Sequence, residues 1–161
     1  MLFKKKPKSE TLEPSRSTVF DKDSVLENPI PRHIAIILDG NGRWAQQQGK
    51  PRVFGHQEGM INVEHIASVA AKLGIEAMTL YAFSTENWKR AADEVAFLMK
   101  LPVRFFDRFA PTLMELNIKT EIIGNKLELP GELQDAIRRI EEMTSKNTDE
   151  VDDRLKLWFT R

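Results

Sequence analysis

The chain has 161 residues, 41% of them apolar, and its 24 basic and 24 acidic side chains give a formal net charge of zero at pH 7. This length is most simply one domain, and the neutral charge provides no overall field that would attract nucleic acid. The sequence contains no cysteine, which excludes disulfides and thiolate metal sites and suits a reducing cytoplasm. No apolar run approaches the roughly 20 residues that span a bilayer, and the N-terminus lacks the apolar segment of a secretory signal. We therefore expect a cytoplasmic protein.

The first 29 residues differ in composition from the rest of the chain. Residues 1–29 are polar and charged, contain proline and show no apolar periodicity, which predicts a disordered polar tail. A basic run occupies residues 4–8. Such a run is usually solvated, and contact with an anionic membrane surface is the alternative. Residues 30–161 are expected to form a single α/β domain.

An apolar run followed at once by polar residues marks the first candidate site. Residues 34–38 include three isoleucines and predict a strand that is buried on both faces. The next residues are Asp39, Gly40, Asn41, Gly42 and Arg43. Open α/β sheets bind ligands at the carboxyl ends of their strands, where a carboxylate can hold Mg²⁺ and an arginine can bind a phosphate. The glycines allow backbone N–H groups to approach an anion, so the pattern predicts a diphosphate site.

A second polar segment follows the next predicted strand. We predict a loop at residues 46–56, a helix at about 57–73 that ends at Gly74, and a strand at 77–83. The polar residues 84–90 come directly after that strand. A right-handed crossover would make the two strands parallel, so the two polar segments should meet in one crevice.

The remaining pattern continues the alternation of strands and helices. A helix is predicted to begin near Asp93, its N-cap, and to be kinked or divided at Pro102 and Pro111. A strand at 118–124, a helix with Pro130 near its first turn and a terminal strand at 155–160 follow. The predicted fold class is α/β, with three layers and a mostly parallel sheet carrying helices on both faces.

Several candidate residues have an ordinary structural alternative. Asp39 could cap a helix, His56 could anchor a loop, and Trp44 and Trp88 could be core or rim aromatics. Acidic residues at 149–153 have the density of a metal site, but they follow a polar linker and are better explained as a solvated turn.

Three segments together resemble the cis-prenyltransferase family, in particular its bacterial undecaprenyl diphosphate synthases. They are Asp39-Gly40-Asn41-Gly42-Arg43-Trp44, Arg52-x-x-Gly55-His56 and Tyr81-Ala82-Phe83-Ser84-Thr85-Glu86-Asn87-Trp88-Lys89-Arg90. Their order and spacing match the family over about residues 30–148. The resemblance implies a Mg²⁺-dependent transferase that condenses isopentenyl diphosphate repeatedly onto farnesyl diphosphate, an allylic diphosphate. The implied product is a long cis-polyprenyl diphosphate, the lipid carrier for cell-wall glycans.

The resemblance also implies roles for individual residues. Asp39 and Asn87 would be catalytic, with Asp39 holding Mg²⁺ and Asn87 lying near the site of proton removal. Because an amide is a poor base, Asn87 would orient the groups while diphosphate or water takes the proton. The allylic substrate would contact Gly40, Asn41, Gly42, Arg43, Trp44, Arg52 and His56. Isopentenyl diphosphate would contact Ser84, Thr85, Glu86, Trp88 and Arg90.

The helix beginning near Asp93 would wall a tunnel for the growing chain. Phe105, Phe106 and Phe109 have the spacing of any packed helix, so we expect them to be shared with the core.

The family pattern extends beyond the last residue of this sequence. Relatives carry an Arg-x-Ser-Gly-Glu-x-Arg-x-Ser-Asn block that binds isopentenyl diphosphate, and a later Glu that completes the Mg²⁺ site. Neither is present, so we expect an incomplete cis-prenyltransferase fold in which allylic diphosphate binding survives better than condensation. The family homodimer is not expected for this chain, and any peripheral membrane contact would come through the product.

The alternative function is a non-catalytic fragment or subunit that binds an allylic diphosphate and needs a partner chain. A generic nucleotide-binding domain is disfavoured, because the sequence has neither a Gly-x-Gly-x-x-Gly motif with its distant acidic residue nor a Gly-Lys-Ser/Thr loop.

Overall fold

A computed structural model of the chain describes residues 25–147 and the strand at 156–160, without the side chains of that strand or of Thr85. Most of the predicted polar tail and the acidic residues at 149–153 lie outside the described residues. The interpretations given for those two segments therefore stay predictions.

Four strands and four α-helices form the described fold. The strands are β1 (His33–Ile37), β2 (Ala77–Tyr81), β3 (Lys119–Ile123) and β4 (Lys156–Thr160). The helices are α1 (Asn41–Gln47), α2 (Arg52–Lys72), α3 (Ala92–Glu115) and α4 (Gly131–Met143). Short 3₁₀ helices lie at Thr85–Lys89 and Lys126–Glu128. The four strands and the helices α2, α3 and α4 follow the predicted alternation of strand and helix. Helix α1 is an additional short helix.

All four strands are parallel, in the order β1-β2-β4-β3. At the carboxyl end of the sheet, Ile37 pairs with Tyr81, Tyr81 with Thr160, and Thr160 with Ile123. The predicted α/β class and parallel sheet are confirmed, and β1 and β2 are the adjacent pair that the sequence required.

The long helices α2, α3 and α4 pack against one face of this sheet. The core between them joins buried side chains of β2 to those of all three helices: Met78 and Leu80 with Val63, Ala67, Ala70, Met99, Phe105, Phe106, Phe109, Leu113, Leu133, Ala136, Ile137 and Ile140. Burial of this apolar area is the main force that holds the layers together.

The opposite face of the sheet is exposed at its carboxyl end in the described residues, whereas Ala77 and Thr79 of β2 on that face are buried. Ile37 is 74% exposed, and its neighbours across the sheet, Tyr81 and Ile123, are about half exposed. The prediction that the first strand is buried on both faces was wrong, because exposure alternates along β1: Ile34 and Ile36 are partly buried, while His33, Ala35 and Ile37 are exposed. The second helical layer of the predicted three-layer fold is not among the described residues.

Helix α2 begins five residues earlier than predicted. The sequence predicted a loop at 46–56, but α1 runs to Gln47 and α2 begins at Arg52, directly after Pro51. Proline is compatible with the start of a helix, because the first N–H groups have no partner within the helix. At the other end, Gly74 adopts a left-handed φ of 77° just after the helix, as predicted for a stop signal. Arg52 and His56 therefore lie on the first two turns of a helix.

Helix α3 runs unbroken through both of its prolines. Pro102 and Pro111 lie inside the helix and do not divide it, because its apolar face is held in the core on both sides of Pro102. Asp93 is not the N-cap as predicted. The cap is Ala91, and Asp93 lies in the first turn, where its Oδ1 accepts the N–H of Glu94 at 2.9 Å.

Candidate functional site

The polar segments after β1 and β2 border one cavity of about 240 Å³. It opens at the carboxyl ends of the two parallel strands, as expected from the topology. Its polar lining comes from both segments and from the start of α2: Asp39, Gly40, Asn41, Gly42, Arg43, Arg52, His56, Asn87 and Arg90. The structure thus brings together most of the residues that the sequence predicted for an anion site.

Asp39 and Arg43 form an exposed ion pair at the mouth of this cavity. Gly40 adopts a left-handed φ of 87°, which turns the chain directly from β1 into α1. Asp39 Oδ1 accepts the backbone N–H of Gly40 at 2.6 Å, and Oδ2 accepts Arg43 Nη2 at 3.2 Å. Both side chains are about 70% exposed, so the pair is accessible to a ligand.

Three glycines allow α1 and its loop to lie close against α2. A Cβ on Gly55 would lie 1.9 Å from the backbone oxygen of Asn41, and one on Gly59 would lie 2.6 Å from Asn41 Nδ2. A Cβ on Gly42 would lie 2.9 Å from Arg52 Cζ. At Gly55 the backbone of Asn41 leaves no room for a side chain, whereas at Gly42 and Gly59 an added Cβ would displace the side chains of Arg52 and Asn41 from their places at the cavity.

Glu94, on the first turn of α3, joins three nitrogen donors of the site. Its Oε1 lies 2.8 Å from Arg90 Nη1, 3.1 Å from His56 Nε2 and 3.3 Å from Arg52 Nε. Only 15% of the Glu94 side chain is exposed. Burial by itself would raise the pKa of Glu94, but the contacts with His56, Arg90 and Arg52 outweigh it, so the pKa lies below its usual value.

Asn87 has a structural role in the loop that follows β2. Its Oδ1 accepts the backbone N–H of Ser84 at 2.8 Å, and the Ser84 side chain accepts the backbone N–H of Asn87. This reciprocal capping box fixes the 3₁₀ helix at Thr85–Lys89 beside the cavity. The Asn87 oxygen is thus engaged as an acceptor, which suits an orienting residue better than a base.

Four residues predicted to contact substrate do not line the polar cavity. Trp44 is exposed and stacks on Phe54, with ring centroids 6.1 Å apart. Trp88 packs edge-on against Phe83 at 5.3 Å, beside a separate groove. Ser84 and Glu86 are exposed on the neighbouring loop, and the Thr85 side chain is not described.

An apolar cavity of about 120 Å³ adjoins the polar one. The two share Leu38, Asn41, His56, Ala82 and Leu98. The apolar part extends between α2, α3 and α4, where its lining includes Met60, Met99, Pro102, Phe106, Ile122, Leu133 and Ile137. Phe106 lines the cavity, whereas Phe105 and Phe109 lie in the core beside it, so the phenylalanines are divided between wall and core.

The described residues contain neither a metal-binding cluster nor a membrane-spanning helix. They contain no cluster of three or more His, Asp or Glu side chains that could hold a metal ion by themselves. Within the same part of the chain, no helix combines the length and apolar character needed to cross a bilayer.

Sequence reasoning missed Glu94 and Gly59. Glu94 follows Arg90 by four residues, a spacing at which opposite charges meet on a helix, but its contacts with Arg52 and His56 join residues about 40 positions apart. Gly59 follows Gly55 by four residues, and two glycines so spaced on one helix indicate a close approach by another backbone.

Comparison with known proteins places these features in a family. A family model described as "Putative undecaprenyl diphosphate synthase" matches residues 37–157. Isoprenyl transferase of Enterococcus faecalis is 52% identical over 141 residues, which are 88% of this chain and 51% of the relative. Isoprenyl transferase of Listeria monocytogenes is 54% identical over 121 residues, 75% of this chain and 48% of the relative.

A solved structure shows the same fold. Lavandulyl diphosphate synthase from Lavandula x intermedia, crystallised with dimethylallyl diphosphate, superposes with a TM-score of 0.74 at 35% identity. The match covers 80% of this chain and 53% of the plant enzyme. The chain spans about half the length of the curated relatives that it matches. On the sequence match and the shared fold, the chain belongs to the undecaprenyl diphosphate synthase family of prenyltransferases.

Proposed function

We propose that the chain binds the allylic substrate of a cis-prenyl transfer, with the diphosphate in the polar cavity and the isoprenoid in the apolar one. In the complete reaction, farnesyl diphosphate would be condensed with isopentenyl diphosphate to a cis-polyprenyl diphosphate. The observation that carries the proposal is the continuity of the two cavities, which share five lining residues. A molecule with an anionic head and a long apolar tail fits such a site.

The allylic diphosphate would be held chiefly by guanidinium groups. Arg43 and Arg52 line the cavity together with the backbone of the Gly40–Gly42 segment. Guanidinium groups form paired, charge-assisted hydrogen bonds to phosphate oxygens, and they stabilise negative charge as the C–O bond of a leaving diphosphate breaks. The relative crystallised with dimethylallyl diphosphate supports this class of ligand.

Asp39 fits the requirements of a Mg²⁺ ligand in this site. Its carboxylate is exposed and accepts only two hydrogen bonds among the described residues, so lone pairs remain for a cation. Mg²⁺ is usually held by one or two carboxylates together with substrate phosphates and water. When bound, the ion would supply positive charge to the leaving diphosphate, and Asp39 would fix its position.

Asn87 and Arg90 would orient the second substrate. Both line the polar cavity on the side of the β2 loop. Since the Asn87 oxygen is held by the backbone of Ser84, we assign Asn87 to orientation and proton removal to the diphosphate or to water. A cytoplasmic location, and membrane contact through the lipid product, follow from this activity as proposals.

Calorimetry with farnesyl diphosphate and MgCl₂ tests the binding proposal, and an assay with radiolabelled isopentenyl diphosphate tests condensation. We expect Mg²⁺-dependent binding to the wild-type chain and little condensation. For Asp39→Asn we expect binding at least about tenfold weaker, roughly 1.4 kcal/mol, because the carboxylate that would hold Mg²⁺ is lost. Asp107→Asn, an equally exposed aspartate on α3, is the matched control and should bind normally. Absence of binding by the wild type would refute the proposal.

A second candidate function is a subunit that acts with a partner chain. The observation that favours it is the carboxyl end of the sheet, where the exposed side chains Ile37, Tyr81 and Ile123 stand at matching register positions. Contiguous exposed apolar surface is typical of interaction sites. Mixing the chain with the second half of the Enterococcus faecalis relative and measuring condensation tests this candidate. Activity restored by the added half indicates a split or truncated enzyme that needs the second chain, whereas no gain leaves allylic diphosphate binding as the supported function.

A further inference from the structure

Among the described carboxylates near the cavity, Glu94 contacts the most cationic groups. Its contacts reach Arg52 and His56 on α2, and Arg90 at the end of the β2 loop. Glu94 does not itself line the polar cavity, whereas all three of its partners do. Glu94 can therefore act on a ligand in that cavity through these three side chains or through its charge, and not by direct contact.

Arg52 is held mainly through Nε, which leaves the terminal nitrogens of its guanidinium available to bind a ligand. Its Nε faces the two carboxylate oxygens of Glu94, each at 3.3 Å. The guanidinium lies over Gly42, and Nη1 has a long contact of 3.4 Å to Gln46. A guanidinium fixed through Nε can still present its terminal nitrogens to a diphosphate, because the five N–H groups form a rigid fork.

Burying a carboxylate to this extent costs free energy of hydration unless cationic groups balance its charge. Two guanidinium groups and an imidazole surround Glu94, which offsets the loss of hydration. The same carboxylate limits the repulsion between Arg52 and Arg90, which would otherwise oppose their lying at one cavity. A site that must bind a multiply charged anion benefits when its cations are already in place, because little reorganisation is then needed on binding.

We propose that Glu94 is the positioning residue of the diphosphate site, which fixes Arg52, His56 and Arg90 in the arrangement that receives the anion. This inference rests on the proposed function, since it assigns a role within that same cavity. It also links the α2 side of the cavity to the β2 loop through one side chain.

Two opposite consequences of removing the Glu94 charge make the proposal testable. Without the carboxylate, the cavity becomes more positive, which favours an anion. At the same time, Arg52, His56 and Arg90 lose their common partner and their orientation. If positioning dominates, Glu94→Gln weakens the binding of a diphosphate; if the lost charge dominates, the same variant strengthens it.

The experiment is calorimetry with inorganic pyrophosphate in MgCl₂, repeated with farnesyl diphosphate. We expect the dissociation constant to rise at least about tenfold for Glu94→Gln, with both ligands, since the defect lies at the shared head group. Glu94→Asp keeps the charge on a shorter side chain and should recover part of the affinity. Glu115→Gln removes an exposed carboxylate from the same helix and should leave the constant unchanged.

A double-mutant cycle separates positioning from general destabilisation. If Glu94 acts through Arg52, adding Glu94→Gln to Arg52→Ala should cause a much smaller further loss of affinity than Glu94→Gln causes alone. Equal losses in the two backgrounds would overturn the proposal, as would unchanged or tighter binding by Glu94→Gln. If Glu94→Gln does not fold, Glu94→Asp decides by the same cycle. A wild-type chain that fails to bind either ligand refutes the proposed function itself, and this inference with it.

Discussion

Asp39 and Glu94 are carboxylates beside one cavity, but their surroundings suit them to the different roles that we propose. Asp39 is exposed at the cavity mouth and contacts a single guanidinium at 3.2 Å. Glu94 is largely buried and contacts three cationic side chains. An exposed carboxylate with few partners can accept a metal ion or exchange partners when a ligand arrives, whereas a buried and fully partnered one keeps other groups in place.

The lowered pKa of Glu94 predicts an acid-dependent part of the stability. Because the native pKa lies below the unfolded one, the ionised Glu94 stabilises the fold. This contribution is fully present above the unfolded value, about 4.3, and is lost as the pH falls through the lower native value. We expect the difference in free energy of unfolding between wild type and Glu94→Gln to be constant from about pH 7 to 5, and to shrink below about pH 4.

Urea unfolding of both proteins across this pH range measures that difference. Glu115→Gln serves as the control, and its difference from wild type should show no comparable decline. A Glu94→Gln difference that stays constant down to pH 3 would contradict the assigned electrostatic role.

At the residue scale, the sequence predicted those members of the site that lie in its two polar segments. Asp39, Arg43, Asn87 and Arg90 directly follow strands, so their place at one sheet edge follows from chain order and parallel pairing. Glu94 could not be assigned this way, because its partners Arg52 and His56 reach it only through the packing of α2 against α3. Contacts between segments that are distant in the chain leave no recognisable pattern in the local sequence.

At the scale of elements, strands were easier to predict than the starts of helices. Each observed strand lies within the predicted range or extends one residue beyond it, since a short apolar run bounded by polar residues and glycine is distinctive. Helix α1 was not predicted, because its Asn-Gly-Arg start has a weak helical propensity. Its seven residues depend instead on contact with α2, where Gly55 and Gly59 admit Asn41.

Gly55→Ala tests this dependence. The added Cβ would lie 1.9 Å from the backbone oxygen of Asn41, so α1 must move away from α2. We expect a loss of about 1–3 kcal/mol in the free energy of unfolding, as for overpacked cores, and weaker pyrophosphate binding because Asn41 and Arg43 shift together. Urea unfolding and calorimetry measure the two effects.

Gly131→Ala is the matched control for the glycine substitution. Gly131 begins α4, has open space around its Cβ position and does not require a left-handed conformation. Alanine there should be neutral or slightly stabilising, by up to about 1 kcal/mol. If Gly55→Ala proved as harmless as this control, α1 would not be held by the contact proposed.

At the scale of the whole molecule, the two faces of the sheet differ. One face is covered by three helices, and the other presents Ile37, Tyr81 and Ile123 in the described structure. The sequence could not show this, because the run at residues 34–38 has the apolar character of a strand covered on both sides. Apolar character predicts that a face will be covered, and it does not identify what covers it.

If a partner chain covers this face, Ile37→Lys should affect association without affecting the isolated fold. Ile37 is 74% exposed, so a lysine there should change the free energy of unfolding of this chain by less than about 0.5 kcal/mol. In a mixture with the second half of the Enterococcus faecalis relative, the same lysine would place a charge within the interface. We expect the complex to be at least about tenfold weaker, since an unpaired buried charge is strongly unfavourable.

Leu127→Lys is the control for this test, because Leu127 is 86% exposed in the 3₁₀ helix Lys126–Glu128 and is not part of the sheet. Sedimentation of the mixed chains measures complex formation, and the condensation assay measures function. Equal weakening by both lysines would indicate a general effect of added charge. Because Ile37 directly precedes Leu38 and Asp39 at the polar cavity, loss of both association and condensation for Ile37→Lys alone would show that covering this face and completing the catalytic site are one event.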